Sequence, residues 1–259
     1  GTNLREEDEV TSIAIQPDGQ ILLAGFASIS AKGDFAVARY NPDGTLDKFF
    51  GEGGKIFTDI EGVNASDLIT AMVFLPDGKI LASGFANYFN LDGTADIGIV
   101  RYDENGILDP EFGVGGVSVT RLGSSTNTYG MAVQPDGKII VGGVSNVVLE
   151  EKRWMLARFH SNGVLDEGFG TTGYTTTVMP GNNGAVTALL IQPDSRIILA
   201  GYTGSSPDLN YTIARYIADF ILTPTVTGIS CPGANDASIT IEASGGVAPY
   251  GYSIDGVEF

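Results

Sequence analysis

The stretch Ile13-Ala14-Ile15-Gln16-Pro17-Asp18-Gly19-Gln20-Ile21-Leu22-Leu23-Ala24-Gly25 decides the fold. An apolar run, a Pro-Asp-Gly turn and a second apolar run ending in Gly predict a β-hairpin. The stretch returns as Met72-Val73-Phe74-Leu75-Pro76-Asp77-Gly78-Lys79-Ile80-Leu81-Ala82-Ser83-Gly84, again from Met131 to Gly143, and in weaker form from Leu189 to Gly201. The turn aspartates Asp18, Asp77, Asp136 and Asp194 stand 59, 59 and 58 residues apart. A period of roughly 50 residues marks a solenoid, a propeller or an array.

Working outward from the hairpin, each repeat holds four short strand candidates. In the first repeat they are Ser12 to Gln16, Gln20 to Phe26, Phe35 to Tyr40 and Lys55 to Asp59. The third recurs as Ile97 to Tyr102, Trp154 to Phe159 and Tyr211 to Tyr216, which places Arg39, Arg101, Arg158 and Arg215 at one repeat position, each before an aromatic residue. Asp-Gly and Asn-Gly turns come after it at Asp43-Gly44, Asn105-Gly106 and Asn162-Gly163 and supply the positive φ that tight hairpins need. Leu-Asp pairs at 46–47, 108–109 and 165–166 come next, then Phe50-Gly51, Phe112-Gly113 and Phe169-Gly170. Four antiparallel strands in tandem predict the blades of an all-β propeller. A β-solenoid has shorter coils without internal hairpin turns. The loops Ala27–Asp34 and Ala86–Asp96 vary between repeats, and variable loops on a fixed scaffold are where binding diverges.

Composition fits an exported β-protein. Of 259 residues 43% are apolar, and the 36 glycines are about twice the usual share of roughly 7%. The net charge of -17 disfavours nucleic acid and anionic membrane as partners, since both need clustered Lys and Arg. A single cysteine, Cys231, excludes an internal disulfide. No apolar run approaches 18 residues, so membrane insertion is not expected. Residues 1–5 lack signal-peptide character and start in mid-pattern, so any export signal is expected upstream.

The pattern of QPDGKI, ARY, an Asn-Gly turn, Leu-Asp and Phe-Gly resembles the delta-sixty repeat, a propeller-class repeat of bacterial extracytoplasmic proteins. The resemblance covers four copies, with a propeller expected over 1–222 and repeats at about 8–65, 66–126, 127–184 and 185–222. The fourth departs at Ile217-Ala218-Asp219-Phe220, without the Asn-Gly turn and the Phe-Gly loop, and is expected to lack its fourth strand. Such repeats imply a fold and a setting, and no catalytic residue. After Leu222 the composition shifts, and Thr223-Pro224 reads as a linker. Residues 223–259 resemble the first part of the SprB-type repeat of Bacteroidetes surface adhesins, an immunoglobulin-like β module expected to continue past Phe259. The two resemblances together imply an extracellular or cell-surface protein.

The candidate chemistry is sparse. The repeated arginines read either as a ring for an anionic ligand or as structural staples paired with an aspartate of the repeat, Asp18 or Asp47 in the first, because a buried guanidinium needs bidentate satisfaction. Asp103, Asn105 and Asp109 place oxygen ligands at alternate positions, as part of a Ca²⁺ loop would, but without a distal Glu. No cofactor is required; calcium is the one metal considered. His160, the only histidine, sits where Asn41 and Asp103 stand in other repeats, which points to turn chemistry rather than a catalytic triad. Trp154 reads as blade core, and Tyr88 and Phe89 as a contact surface. The reading is a non-catalytic propeller binding a surface glycan or protein. Its alternatives are a metal-assisted esterase or lactonase and a structural spacer. For closure, the repeat count predicts a closed four-bladed ring, against a homodimer joined through open blade edges into a larger ring, or an open arc.

Overall fold

The computed structural model of the chain describes residues 4, 7–29, 32–60, 66–88, 95–123, 125–145, 152–179, 184–204, 207–217, 221–227 and 238–244. These hold seventeen β-strands and no helix. Strands β1 (Glu7–Ile15), β2 (Ile21–Ile29), β3 (Lys32–Tyr40) and β4 (Lys55–Thr58) form the first blade, in the order β1-β2-β3-β4. The second blade is β5 (Ser66–Phe74), β6 (Ile80–Tyr88), β7 (Asp96–Tyr102) and β8 (Val117–Thr120). The third is β9 (Thr126–Val133), β10 (Ile139–Ser145), β11 (Arg153–Phe159) and β12 (Tyr174–Thr177). The fourth has three described strands, β13 (Gly184–Ile191), β14 (Ile197–Thr203) and β15 (Asn210–Tyr216). All pairings are antiparallel, and the architecture is that of propeller blades.

Each blade starts from the Pro-Asp-Gly hairpin. The Gly19 N–H donates to the Gln16 carbonyl at 2.9 Å, and Gly19, Gly78 and Gly137 take φ of 88°, 89° and 85°. The hairpin arms run further than the apolar runs that announce them. Beyond a bulge at Thr11, Glu7–Val10 pairs with Gly25–Ser28, so an acidic segment with no hydrophobic alternation completes β1. The bulge recurs at Thr70, Tyr129 and Thr187. Opposite it stand Gly25, Gly84, Gly143 and Gly201, where a Cβ would overlap the carbonyl oxygen of Glu9, Leu68, Asn127 or Ala185. A bulge turned toward its partner strand leaves room only for glycine there. Of the segments expected as loops, 27–29 and 32–34 belong to β2 and β3, and 86–88 to β6; residues 30–31 and 89–94 lie outside the described residues.

Three hydrophobic cores lie between four blades. Leu22, Phe35, Val37 and Phe50 of the first blade pack on Ile69, Met72, Ile80 and Tyr102 of the second. Ile97, Ile99 and Phe112 meet Met131, Ile139 and Phe159 across the next boundary, and Trp154, Leu156 and Phe169 meet Val186, Ile197 and Leu199 across the last. The central blades are therefore buried on both faces, with β10 buried throughout, while β14 alternates. The outer faces of the end blades are open. Ile13 and Ile15 are 66% and 70% exposed, although their counterparts Met72 and Phe74 are buried and partly buried. Tyr211 and Ile213 are 102% and 72% exposed, against 1% and 0% for Trp154 and Leu156. The expected closed four-bladed ring is corrected here: closure would cover these faces, and the four blades form an open arc.

Past the arc, β16 (Ile221–Thr227) pairs with β17 (Ser238–Ser244). The expected linker Thr223-Pro224 lies inside β16, its residues opposite Glu242 and Ile241. Cys231 lies outside the described residues.

Candidate functional site

The most regular polar assembly sits at the end of the blades that carries the Pro-Asp-Gly turns. Arg39 Nε donates to Asp47 Oδ2 at 2.8 Å, Arg101 Nε to Asp109 Oδ2 at 2.9 Å, and Arg158 Nε to Asp166 Oδ2 at 2.8 Å. The guanidinium carbons lie 4.4, 4.8 and 4.7 Å from the ring centres of Phe50, Phe112 and Phe169. The Leu-Asp and Phe-Gly elements of each repeat thus meet on the arginine, one as counter-ion and the other as stacking face. The other carboxylate oxygen accepts a backbone N–H, from Phe49, Glu111 or Gly168. Across the blade boundary, Arg39 Nη1 donates to the Glu104 carbonyl and Arg101 Nη1 to the Ser161 carbonyl, both at 2.6 Å. Arg39 and Arg158 are buried and Arg101 is partly buried, and their bonds to aspartate and backbone acceptors make them staples of the turn end. Arg215 is exposed.

The turn aspartates serve a different purpose. Asp18, Asp77, Asp136 and Asp194 accept the N–H two residues on, from Gln20, Lys79, Lys138 and Arg196. These are Asx turns, and the arginine partner is the Asp47 series, not Asp18. A hydrogen bond from Lys79, with the Glu111 N–H and the Arg101 charge, holds the Asp109 carboxyl below the usual carboxylate range against the effect of burial. Burial pushes Asp166 up, but Arg158, His160, the Gly168 N–H and Lys138 together outweigh it, and its pKa is lowered.

Asp103, Asn105 and Asp109, the residues considered for calcium, stand among protein donors. Asp103 Oδ1 accepts the N–H groups of Asn105 and Ile107 at 2.9 and 2.8 Å, and Asp109 is held by Lys79 Nζ at 2.8 Å and by Arg101. These oxygens converge on backbone donors and cations, and no cluster of three or more metal-ligating side chains occurs among the described residues. His160 Nε2 lies 3.8 Å from Asp166 Oδ1, too far for a hydrogen bond, on a carboxylate already bonded to Arg158. Trp154 is buried in the core between the third and fourth blades. Tyr88 ends β6 with its backbone opposite Ser66; its side chain, and all of Phe89, lie outside the described residues.

Grooves open beside the staples, between successive turns. The one between the first and second blades has a volume of about 320 Å³ and mixed walls, with Gln16, Asp18, Gln20 and Arg39 among the polar groups. The one between the second and third has a volume of about 680 Å³ and mainly apolar walls, among them Val73, Leu75, Met131 and Val133. Its polar groups include Asp77, Arg101 and Gln134. Gln134 is 4% exposed, and its side-chain carbonyl is buried without a hydrogen-bond partner. One repeat position at which the two differ holds Gln16 in the first blade and Leu75 in the second.

A second polar feature lies at the opposite end. Asp67, 2% exposed, accepts the N–H groups of Ile60 at 2.8 Å and Asn87 at 3.0 Å, and Asn87 adopts φ of 62°. Burial raises the Asp67 pKa to about 6 against the pull of those two bonds, and the charges of Asp59 and Asp34 add to the rise. Both oxygens are engaged by backbone, so the carboxyl ties the start of β5 to its neighbours. Sequence reasoning missed Asp67 and Gln134. Asp67 has no repeat signature, since Asp8 and Thr126 stand at its equivalents, and a glutamine before a turn proline gives no sign of burial.

Comparison with known proteins agrees with this architecture. The family model described as a domain of unknown function (DUF5122) beta-propeller matches residues 16–50, 75–112 and 134–169, and the SprB repeat model matches residues 223–259. These matches agree with the propeller repeats and the SprB repeat that the sequence resemblance implied. The fourth blade lies outside the three matched segments, yet it keeps the hairpin, the bulge and its opposed glycine. No curated protein matches the chain. Solved structures that match include an endo-arabinase from Bacteroides thetaiotaomicron, 12% identical, with a TM-score of 0.46 and coverage of 78% of this chain and 72% of that one.

Proposed function

We propose that the chain is a non-catalytic binding propeller of a cell-surface protein, and that its ligand is a polypeptide seated in the groove between the second and third blades. The observation that carries this reading is Gln134, a buried amide whose carbonyl lacks a partner at the edge of an apolar groove of about 680 Å³. Pockets for ligands are commonly of that size, mostly apolar, with a few convergent polar groups. A peptide N–H would satisfy the carbonyl, and an apolar side chain would fill the space between Leu75 and Met131. Among the described residues of the groove Phe74 is the one aromatic, which leaves little stacking surface for a sugar ring. The surface setting rests on the SprB match and on the properties of the adhesins it resembles.

The test is a peptide-display selection on the whole chain, with counter-selection against Met131→Arg, followed by titration of the selected peptides. Peptides that bind the parent and lose at least tenfold in affinity on Met131→Arg support the reading. Binding that ignores the substitution, a hit on a glycan array alone, or turnover of ester, lactone or glycoside substrates would overturn it.

A further inference from the structure

The open ends of the arc are the two halves of an interface that the chain already builds three times. At each internal boundary the third strand of one blade presents two apolar residues and an arginine: Phe35, Val37 and Arg39, then Ile97, Ile99 and Arg101, then Trp154, Leu156 and Arg158. The next blade covers them with its first hairpin, through Met72 on β5 and Met131 on β9. On the fourth blade the same positions are Tyr211, Ile213 and Arg215, all exposed, joined by Leu190 at 51% exposure. On the first blade the covering positions are Ile13 and Ile15, also exposed, with Val10 at 52% exposure beside them. Within these 259 residues, neither face is covered by a neighbouring blade.

We infer that a second copy of this chain docks head to tail, the fourth blade of one copy against the first blade of the other. The contact would repeat the chemistry of the internal boundaries. Tyr211 and Ile213 would pack on the partner's Ile13 and Ile15. Arg215 would donate to the partner's Pro42 carbonyl, because Pro42 holds the repeat position of Glu104 and Ser161, whose carbonyls accept Arg39 and Arg101. A heterologous contact of this kind yields either a closed ring or an open filament. Two copies making it reciprocally give eight blades, within the range at which propellers close. A second copy supplies both mates, because each face carries the repeat positions that cover the other at the internal boundaries.

The two faces are distinct, which makes the test specific. Sedimentation velocity and light scattering on the whole chain should give a species of twice the chain mass at micromolar concentration. Ile13→Asp and Ile213→Asp lie on opposite faces at exposed positions. Each alone should yield a folded monomer, with at least a hundredfold weaker association and an unchanged circular-dichroism spectrum. Mixed in equal amounts, they should regain a heterodimer, because one intact face of each kind remains. A parent chain that stays monomeric at 100 µM overturns the inference. So does an open series of larger species, which denies closure by two copies. Failure of the mixed variants to associate, with both still folded, would show that the faces pair in some other way and would equally overturn it.

Discussion

Arg158 and Arg215 end the third strands of consecutive blades in nearly the same local sequence, Leu-Ala-Arg-Phe and Ile-Ala-Arg-Tyr. One is buried, bonded to Asp166 and stacked on Phe169, and the other is exposed. The strand places an arginine at this point; its environment comes from residues further along the chain. The third blade goes on to supply an aspartate, a phenylalanine and a further blade. In the fourth blade the Leu-Asp and Phe-Gly elements are missing from the sequence after Tyr216. A residue type in a repeat therefore acquires its role from its neighbours and not from the position alone.

The comparison can be broken most directly at the staple. Asp47→Ala leaves Arg39 buried without its counter-ion and should cost about 3–5 kcal/mol in urea unfolding, as removal of one partner of a buried pair does. Arg215→Ala should stay within about 0.5 kcal/mol of the parent, as exposed substitutions do. Similar losses in both variants would show that the two arginines are energetically alike after all.

The two ends of the blades should respond oppositely to pH. Asp67 has a folded pKa near 6, above its value in the unfolded chain, so the folded state binds more protons between about pH 4 and 6. Stability from this group is full below about pH 4 and is lost as pH rises through 6, by about 3 kcal/mol at roughly 1.4 kcal/mol per unit. Asp109 and Asp166 have lowered pKa values, so their contribution is present above pH 4 and is lost as pH falls further. Thermal melts across pH 3–8 should show both limbs. Asp67→Asn should flatten the limb above pH 4 and leave the acid limb in place; a variant profile that still falls between pH 4 and 6 contradicts the assignment.

Where the third and fourth blades agree, substitutions should agree too. Gly143→Ala and Gly201→Ala each drive a methyl group into the carbonyl opposite the bulge and should cost about 1–3 kcal/mol apiece. A tolerated Gly201→Ala would mean that the fourth hairpin relaxes in a way the third does not. The smallest effect is expected at Ser195, which holds φ of 64° where the other three hairpins have glycine. Ser195→Gly removes that strain at some cost in chain entropy and should stabilise by about 0.5–1 kcal/mol, read as a rise in Tm.

Much of this architecture is legible in the sequence, because a hairpin turn is local and a repeat multiplies the signal. The Pro-Asp-Gly turns, the 59-residue spacing and the shortened fourth repeat can all be read without coordinates. The arginine's partner narrows only to Asp18 or Asp47, since both recur with it; the Asx turn that occupies Asp18 becomes visible only in the backbone. Strand length is underestimated because Glu7–Val10 is held by hairpin register and carries no apolar alternation. The groove is illegible because its walls come from two blades, and Leu75 and Gln134 are ordinary residues until Met131 is set between them. Closure is misjudged because a repeat count says how many blades exist and nothing of the angle each adds.

The bonds from Arg39 and Arg101 to the carbonyl of the next blade's turn give the array a direction. The first and second blades are each finished by their successor, so the free energy that holds such a repeat in place is shared with the one after it, as in a nearest-neighbour chain of coupled units. A polypeptide leaving the ribosome N-terminus first would carry one guanidinium ahead of its acceptor at every stage, and that vacancy would move along as each turn is synthesised. Assembly would then propagate from the first blade toward the fourth, each completed turn serving as the template on which the next is locked.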